Sequence, residues 1–183
     1  MSKKILFIVG SLRQNSFNKQ MAQIAEEMIG DRAEVSYLDY ADLPLFNEEL
    51  EAQGVPAMDC IRKELEAADL VWIFSPVYNW AIPGTVKNLL DWASRSLDPS
   101  DHAAASSIHD KFFTVSSLAN GESPKAVFKH YRELLPFIRT NVIGEFAGGP
   151  INPEAWATGK ITLSESLHEK LANQVEEVLQ ELR

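Results

Sequence analysis

Four short apolar runs punctuate the chain: Ile5–Val9 (ILFIV), Val35–Leu38 (VSYL), Leu70–Phe74 (LVWIF) and Phe112–Val115 (FFTV), with a weaker one at Thr140–Phe146. Their lengths suit β-strands. Their near-continuous apolarity suits strands covered on both faces, as in a parallel sheet. Between them the period changes. Phe17, Met21, Ile24, Ala25 and Met28 share one face of a helix, as do Met58, Ile61, Leu65 and Ala68 within 56–67, with Pro56 at the first turn. Pro83 and Gly84 open a further helix with Val86, Leu89, Leu90 and Ala93 on one side. Residues 123–136 place Val127, Phe128, Tyr131, Leu134 and Leu135 together, and a last helix from Ser164 carries Leu167, Leu171, Val175, Val178, Leu179 and Leu182.

Strand and helix therefore alternate five times, which predicts a parallel sheet with right-handed crossovers and helices on both faces. The expectation is an α/β fold of flavodoxin-like, doubly wound type, five strands in the order 2-1-3-4-5, as one domain over residues 1–183. Two stretches lack periodicity. Ser94–Asp110 is rich in Ser, Ala and Asp and is read as a mobile loop at the carboxyl edge of the sheet; 147–162 is read as irregular. Cys60, on the second helix, is expected to be buried and inert.

With 45% hydrophobic and 23% charged residues, the chain is globular rather than disordered. No apolar run nears the roughly 18 residues that cross a bilayer, and MSKKILFIVG is too short in its apolar part for a signal peptide. One cysteine allows no intrachain disulfide and points to a cytoplasmic setting. The four histidines are scattered, so no metal site is read out. A net charge of −9 argues against a nucleic-acid partner. Yet residues 1–25 hold Lys3, Lys4, Arg13 and Lys19 and no acid. An acid-free start on an acidic chain suits an anionic ligand near residues 10–19, or is chance clustering.

In a sheet of this order, ligands lie outside the carboxyl ends of the first and third strands. The loop after the first reads GSLRQNSFNK, Gly10–Lys19. It has neither the spaced glycines of a dinucleotide fingerprint nor the Gly-Lys-Ser/Thr of a P-loop. It offers the hydroxyls of Ser11 and Ser16, the amide of Asn18, the guanidinium of Arg13 and the N-terminus of a helix. Those donors suit one terminal phosphate, although Ser16 could equally serve only as an N-cap. The loop after the third strand, SPVYNWAIPG, is uncharged, stiffened by proline at both ends, and carries Tyr78 and Trp80. It suits a flat heteroaromatic ring, or merely covers the sheet end. The two loops together describe a ring tethered to a phosphate, which is FMN. After the fourth strand, Ser116-Ser117-Leu118-Ala119-Asn120-Gly121 could add hydroxyls and N–H groups. No nucleophile set and no close carboxylate pair is read out, which flavin chemistry does not require.

GSLRQNSFNK together with SPVYNWAIPGTVKNLLDWASR resembles the NADPH-dependent FMN reductase family, through Gly10, Ser11, Arg13, Ser16 and Asn18, then Pro76, Tyr78, Asn79, Pro83, Gly84, Lys87, Asn88, Asp91 and Trp92. The resemblance implies that Ser11, Arg13, Ser16, Phe17 and Asn18 hold the FMN phosphate. It implies that Pro76, Val77, Tyr78 and Asn79 border the isoalloxazine, with Ser116 and Ser117 near the ring. It implies an enzyme passing hydride from NADPH or NADH through FMN to a small acceptor such as a quinone, free flavin, azo compound or metal oxyanion. It also implies a homodimer or homotetramer. Many relatives have Glu where Val77 stands and a glycine-rich loop after strand 4. The alternative is a flavodoxin-like electron carrier without NAD(P)H activity. The 94–110 loop, as a pocket wall or lid, favours the enzyme.

Overall fold

The computed structural model describes residues 2–98, 100–121 and 123–183; Pro99 in the 94–110 loop and Glu122 in the loop after the fourth strand lie outside them. Strands β1 (Lys4–Val9), β2 (Glu34–Tyr37), β3 (Leu70–Phe74), β4 (Phe112–Ala119), β5 (Asn141–Val142) and β6 (Ala147–Pro150) form one parallel sheet in the order β2-β1-β3-β4-β5, with β6 also on β4. The helices are α1 (Phe17–Ile29), α2 (Glu48–Gln53), α3 (Pro56–Ala67), α4 (Gly84–Ala93), α5 (Pro124–Phe137), α6 (Ala155–Thr158) and α7 (Glu165–Glu181). The flavodoxin-like order expected from the sequence is the order found.

The alternation of side chains across each strand divides the core in two. Leu6, Ile8, Val71, Ile73, Phe113 and Val115 pack beneath α3, α4 and α5. Ile5, Phe7, Leu70, Trp72, Phe74 and Leu118 pack beneath α1 and α7. Every residue of β3 is buried, which is why LVWIF shows no alternation in the sequence.

The fifth lane departs from expectation. In place of one strand at 140–146, it is divided. Phe112 and Phe113 of β4 pair with Asn141 and Val142, and Ser116–Ala119 pair with Ala147–Pro150. Residues 147–150 are thus strand, not irregular. Between the halves the chain detours through Gly144 at φ +68°, where a Cβ would lie 2.5 Å from Oε2 of Glu177. The detour leaves ladder groups on β4 and β6 without strand partners, and Gln174 of α7 supplies them. Its Nε2 donates to Val115 O at 2.9 Å and Thr114 Oγ1 at 2.7 Å. Its Oε1 accepts from Ala147 N at 3.1 Å and Ser116 Oγ at 2.7 Å. One buried amide fills its bonding capacity at the break in the sheet.

The Ser94–Asp110 segment lies at the amino edge, not the carboxyl edge. In a βαβ unit the helix carries the chain back to where strands begin, so a segment after α4 and before β4 must sit there. Its contacts agree. Asp110 N donates to Arg139 O at 2.9 Å, just before β5, and Arg139 donates to the carbonyls of Ala103 and Ala104. Ser106, Ser107 and Ile108 are buried. Cys60 is exposed rather than buried, because the buried stripe of α3 is Met58, Ile61 and Leu65.

Replacing Gln174 with Leu keeps the volume and removes all four bonds. Stability should fall by on the order of 3 kcal/mol, because buried ladder groups are left unpaired. Urea unfolding measures it; an unshifted midpoint would contradict the role given to Gln174.

Candidate functional site

β1 and β3 end side by side, with Gly10 N donating to Phe74 O at 2.8 Å. A Cβ on Gly10 would lie 2.9 Å from Cδ of Pro76 and 3.1 Å from Cγ2 of Val86, so only glycine lets the two loops meet this closely. From this junction opens a cleft of about 410 Å³, lined on one side by Ser11, Arg13, Ser16, Phe17 and Asn18, and on another by Pro76, Val77 and Tyr78. Leu118, Ala119, Asn120 and Ser123 line the third side, and Ile151 and Trp156 complete it.

The first wall is a helix start with no acid in its first turn. Ser16 caps α1, its Oγ accepting from Lys19 N at 3.3 Å, and Ser11 Oγ accepts from Arg13 N at 3.4 Å. Each hydroxyl keeps its own proton free to donate to an anion. The N–H groups of Phe17 and Asn18 have no carbonyl one turn back to bond, so they add donors and the positive end of the helix dipole. The Arg13 guanidinium lies 4.6 Å from the centroid of the Phe17 ring, which holds this cation at the cleft. Asn18 behaves differently from the loop's other polar side chains. It is buried, its Nδ2 donates to Leu118 O at 3.0 Å, and its Oδ1 accepts from Leu118 N at 2.9 Å. Its amide is spent on β4, so what it can offer a ligand is its backbone N–H.

The second wall is a tight reversal. Tyr78 and Ala81 exchange both backbone hydrogen bonds, with Asn79 at φ +50° and Trp80 at φ +65° between them. Two successive positive φ values describe a type I′ turn, which Asn tolerates and Trp resists. Asn79 is exposed at the tip and does not line the cleft. Behind this wall Tyr131 donates to Ser75 Oγ at 2.9 Å, and Ser75 donates to Pro76 O at 2.8 Å. Tyr40 donates to Val9 O at 2.7 Å, and burial, ahead of any neighbour, pushes its phenol up to about 12. Burial raises Tyr131 as well. Both phenols are therefore neutral donors that brace the loops.

Ser116 and Ser117 do not reach the cleft, because β4 runs on through Ala119 and both are buried inside it. Ser116 Oγ accepts from Trp72 Nε1 at 2.9 Å and donates to Gln174. The hydroxyl of Ser117 has no partner among the described residues. The cleft wall instead begins at Leu118. One cleft gathers Ser11, Arg13, Ser16, Phe17, Asn18, Pro76, Val77 and Tyr78. Ser123, Ile151 and Trp156 were not foreseen. The glycines and prolines of AGGPINPEAW hid the short β6 and the turn of helix that bring Ile151 and Trp156 there. Arg13 is the one ionisable residue besides Tyr78 among the described lining residues, so the cleft suits holding and orienting an anionic aromatic ligand rather than acid–base chemistry.

Comparison with known proteins places the chain among flavin-dependent reductases by sequence and by fold. The profile of the NADPH-dependent FMN reductase family matches residues 3–150. A NAD(P)H:quinone oxidoreductase of Solanum tuberosum is 39% identical over 97 residues, 50% of each chain. A quinone reductase of Escherichia coli is 32% identical over 158 residues, 82% of this chain and 81% of that one. The chain spans about half the length of the first curated relatives it matches. Among solved structures, the flavoenzyme FerB, an NAD(P)H:(acceptor) oxidoreductase from Paracoccus denitrificans, superposes with a TM-score of 0.75 over 98% of both chains at 23% identity, a likeness of fold.

Gly10→Ala tests the junction. The rigid Pro76 ring cannot yield to the new methyl without moving the second wall. The substitution should cost about 1–3 kcal/mol in unfolding free energy. A thermal or urea midpoint equal to that of the native chain would show that the loops are not in forced contact.

Proposed function

Because the chain belongs to the NADPH-dependent FMN reductase family, we propose that it binds FMN in this cleft and passes reducing equivalents from NADPH or NADH to a small acceptor, a quinone foremost. The observation that carries the reading is one cleft joining a hydroxyl-lined, single-cation helix start to an uncharged, braced loop. Such a donor set matches a monoester phosphate at one end and a flat ring at the other.

In this reading Ser11, Ser16, Arg13 and the N–H groups of Phe17 and Asn18 hold the phosphate. Pro76, Val77 and Tyr78 border the ring on one side, and Leu118, Ala119 and Asn120 face them across the cleft. FMN, when bound, supplies the hydride chemistry. The chain's residues fix its orientation: the Tyr131–Ser75–Pro76 bonds immobilise the peptide before Val77, and the Asn18–Leu118 pair fixes the helix start against β4. Ser116 acts through the sheet as part of the Gln174 network, and Asn79 by shaping the turn.

The reading includes one domain over all 183 residues, supported by α7 packing on the same sheet as α1. It includes a homodimer or homotetramer, supported by the exposed apolar side chains Tyr78, Trp80 and Phe137 around Ala81, Ile82 and Leu134. It also includes a cytoplasmic setting, supported by a single, unpaired cysteine. No helix among the described residues is long and apolar enough to cross a membrane.

Purified protein should be yellow, or become so on adding FMN, and should oxidise NADPH or NADH at steady state with a quinone. Colourless protein that takes up no FMN would reject the reading. FMN binding without turnover would identify an electron carrier, and the amino-edge position of the 94–110 loop does not speak against that outcome. Arg13→Ala should raise the Kd for FMN about 10- to 150-fold, the loss of one charge-assisted hydrogen bond of about 1.5–3 kcal/mol. An unchanged Kd by fluorescence titration would remove Arg13 from the phosphate site.

A further inference from the structure

We propose that Trp156 makes the cleft selective for FMN over a flavin whose phosphate is extended by a second phosphate and a nucleoside, as in FAD. The inference rests on the reading of this cleft as a flavin site and adds to it a residue that the family match, which ends at 150, does not include.

Trp156 borders the same cleft as Ser11, Arg13 and Ser16, at the end that holds the anion-binding donors. Its ring packs edge-on against Phe17, centroids 5.1 Å apart and planes at 83°, while the guanidinium of Arg13 lies over that same Phe17 ring. Arg13, Phe17 and Trp156 thus form one continuous wall. The wall is built on a fixed support. Gln20 of α1 donates through Nε2 to Gly159 O at 2.8 Å and accepts through Oε1 from Ile161 N at 3.0 Å. Ile151 N extends the β4 ladder to Ala119 O at 3.0 Å, and Asn152 Oδ1 accepts from Thr162 N at 2.8 Å. The short helix carrying Trp156 is therefore tied at both ends. Yet Trp156 is 59% exposed, so core burial does not account for so large a residue here.

Electrostatics points the same way. Among the described residues lining the cleft, Arg13 is the one cation. It can meet a single terminal phosphate. A diphosphate ester would bring a second anionic phosphate, for which the described lining residues offer no second cation. Its nucleoside would have to continue past the anchor wall that Trp156 closes. Steric closure and the single charge together favour the shorter cofactor.

The test is equilibrium titration of the full chain with FMN and with FAD, followed by flavin fluorescence, for native protein, Trp156→Ala and Trp156→Phe, with far-UV circular dichroism to establish folding. The native chain should bind FMN the more tightly. Trp156→Ala should reduce the ratio of Kd for FAD to Kd for FMN by about tenfold or more, chiefly by improving FAD. Trp156→Phe, which keeps a ring in place, should reduce it by less than about threefold. A native chain that binds both flavins equally overturns this inference alone. A Trp156→Ala ratio within about threefold of native does the same, as does FAD binding weakened by the substitution, which would make the indole a stacking platform rather than a barrier. Should Trp156→Ala fail to fold, a Trp156→Phe ratio that collapses toward one overturns it. A chain that binds neither flavin overturns the proposed function as well.

Discussion

A single carboxamide imitates a strand at the centre of this molecule. Asn18 presents one donor and one acceptor in the fixed spacing of a peptide group, and it meets the N–H and C=O of Leu118 as a neighbouring strand would. Residues a hundred positions apart are thereby joined, and the start of α1 is pinned to the carboxyl end of β4. The hydroxyls of Ser11 and Ser16, the arginine between them and the wall at Leu118–Asn120 are held in one cleft by this pair. Aspartate, which many helix starts prefer, would place a second acceptor against Leu118 O and undo the match.

The same economy recurs in the surroundings. Gln174 completes a broken ladder, Ser116 accepts from Trp72, and Tyr131 reaches through Ser75 to the peptide at Pro76. Satisfied polar groups in a buried setting are costly to displace, so the loops rest on a stiff foundation. Beside the cleft, strain lies in the turn through Asn79 and Trp80, where a bulky residue sits at positive φ; Asp110 and Arg139 adopt positive φ at the opposite, amino edge. Rigid support with localised strain is what a site needs in order to hold a flat ring in one attitude.

The parts legible in the sequence were those whose burial is uniform. ILFIV and LVWIF announce themselves because both faces of β1 and β3 are covered, and the GSLRQNSFNK and SPVYNWAIPG loops follow directly from where those strands end. What stayed hidden was hidden by polar residues with buried partners. Ser116 and Ser117 look like a loop, yet Trp72 and Gln174 make Ser116 acceptable inside a strand. Half of the β6 segment is glycine because Gly148 and Gly149 lie against Phe128 and Leu167, and glycine has no hydrophobic pattern to read. Trp156 reached the cleft through Gln20, a contact between residues too distant for any local pattern to reveal. The edge at which the 94–110 loop lies is set by the direction of the chain, which α4 returns to the start of the strands, and not by any pattern in the loop's own residues.

The division of the outer lane bears on how the protein behaves in crowded solution. A sheet ends in two rows of unpaired backbone groups, and a long, flat row invites a strand from another molecule. Here one margin is only Glu34–Tyr37, with Glu34 and Ser36 exposed. The other offers two residues, a detour around Gly144, and then four more ending at Pro150. Neither margin presents a template long enough to recruit a foreign strand in register. The interruption that Gln174 repairs internally thus also blunts the molecule against fibrous self-association.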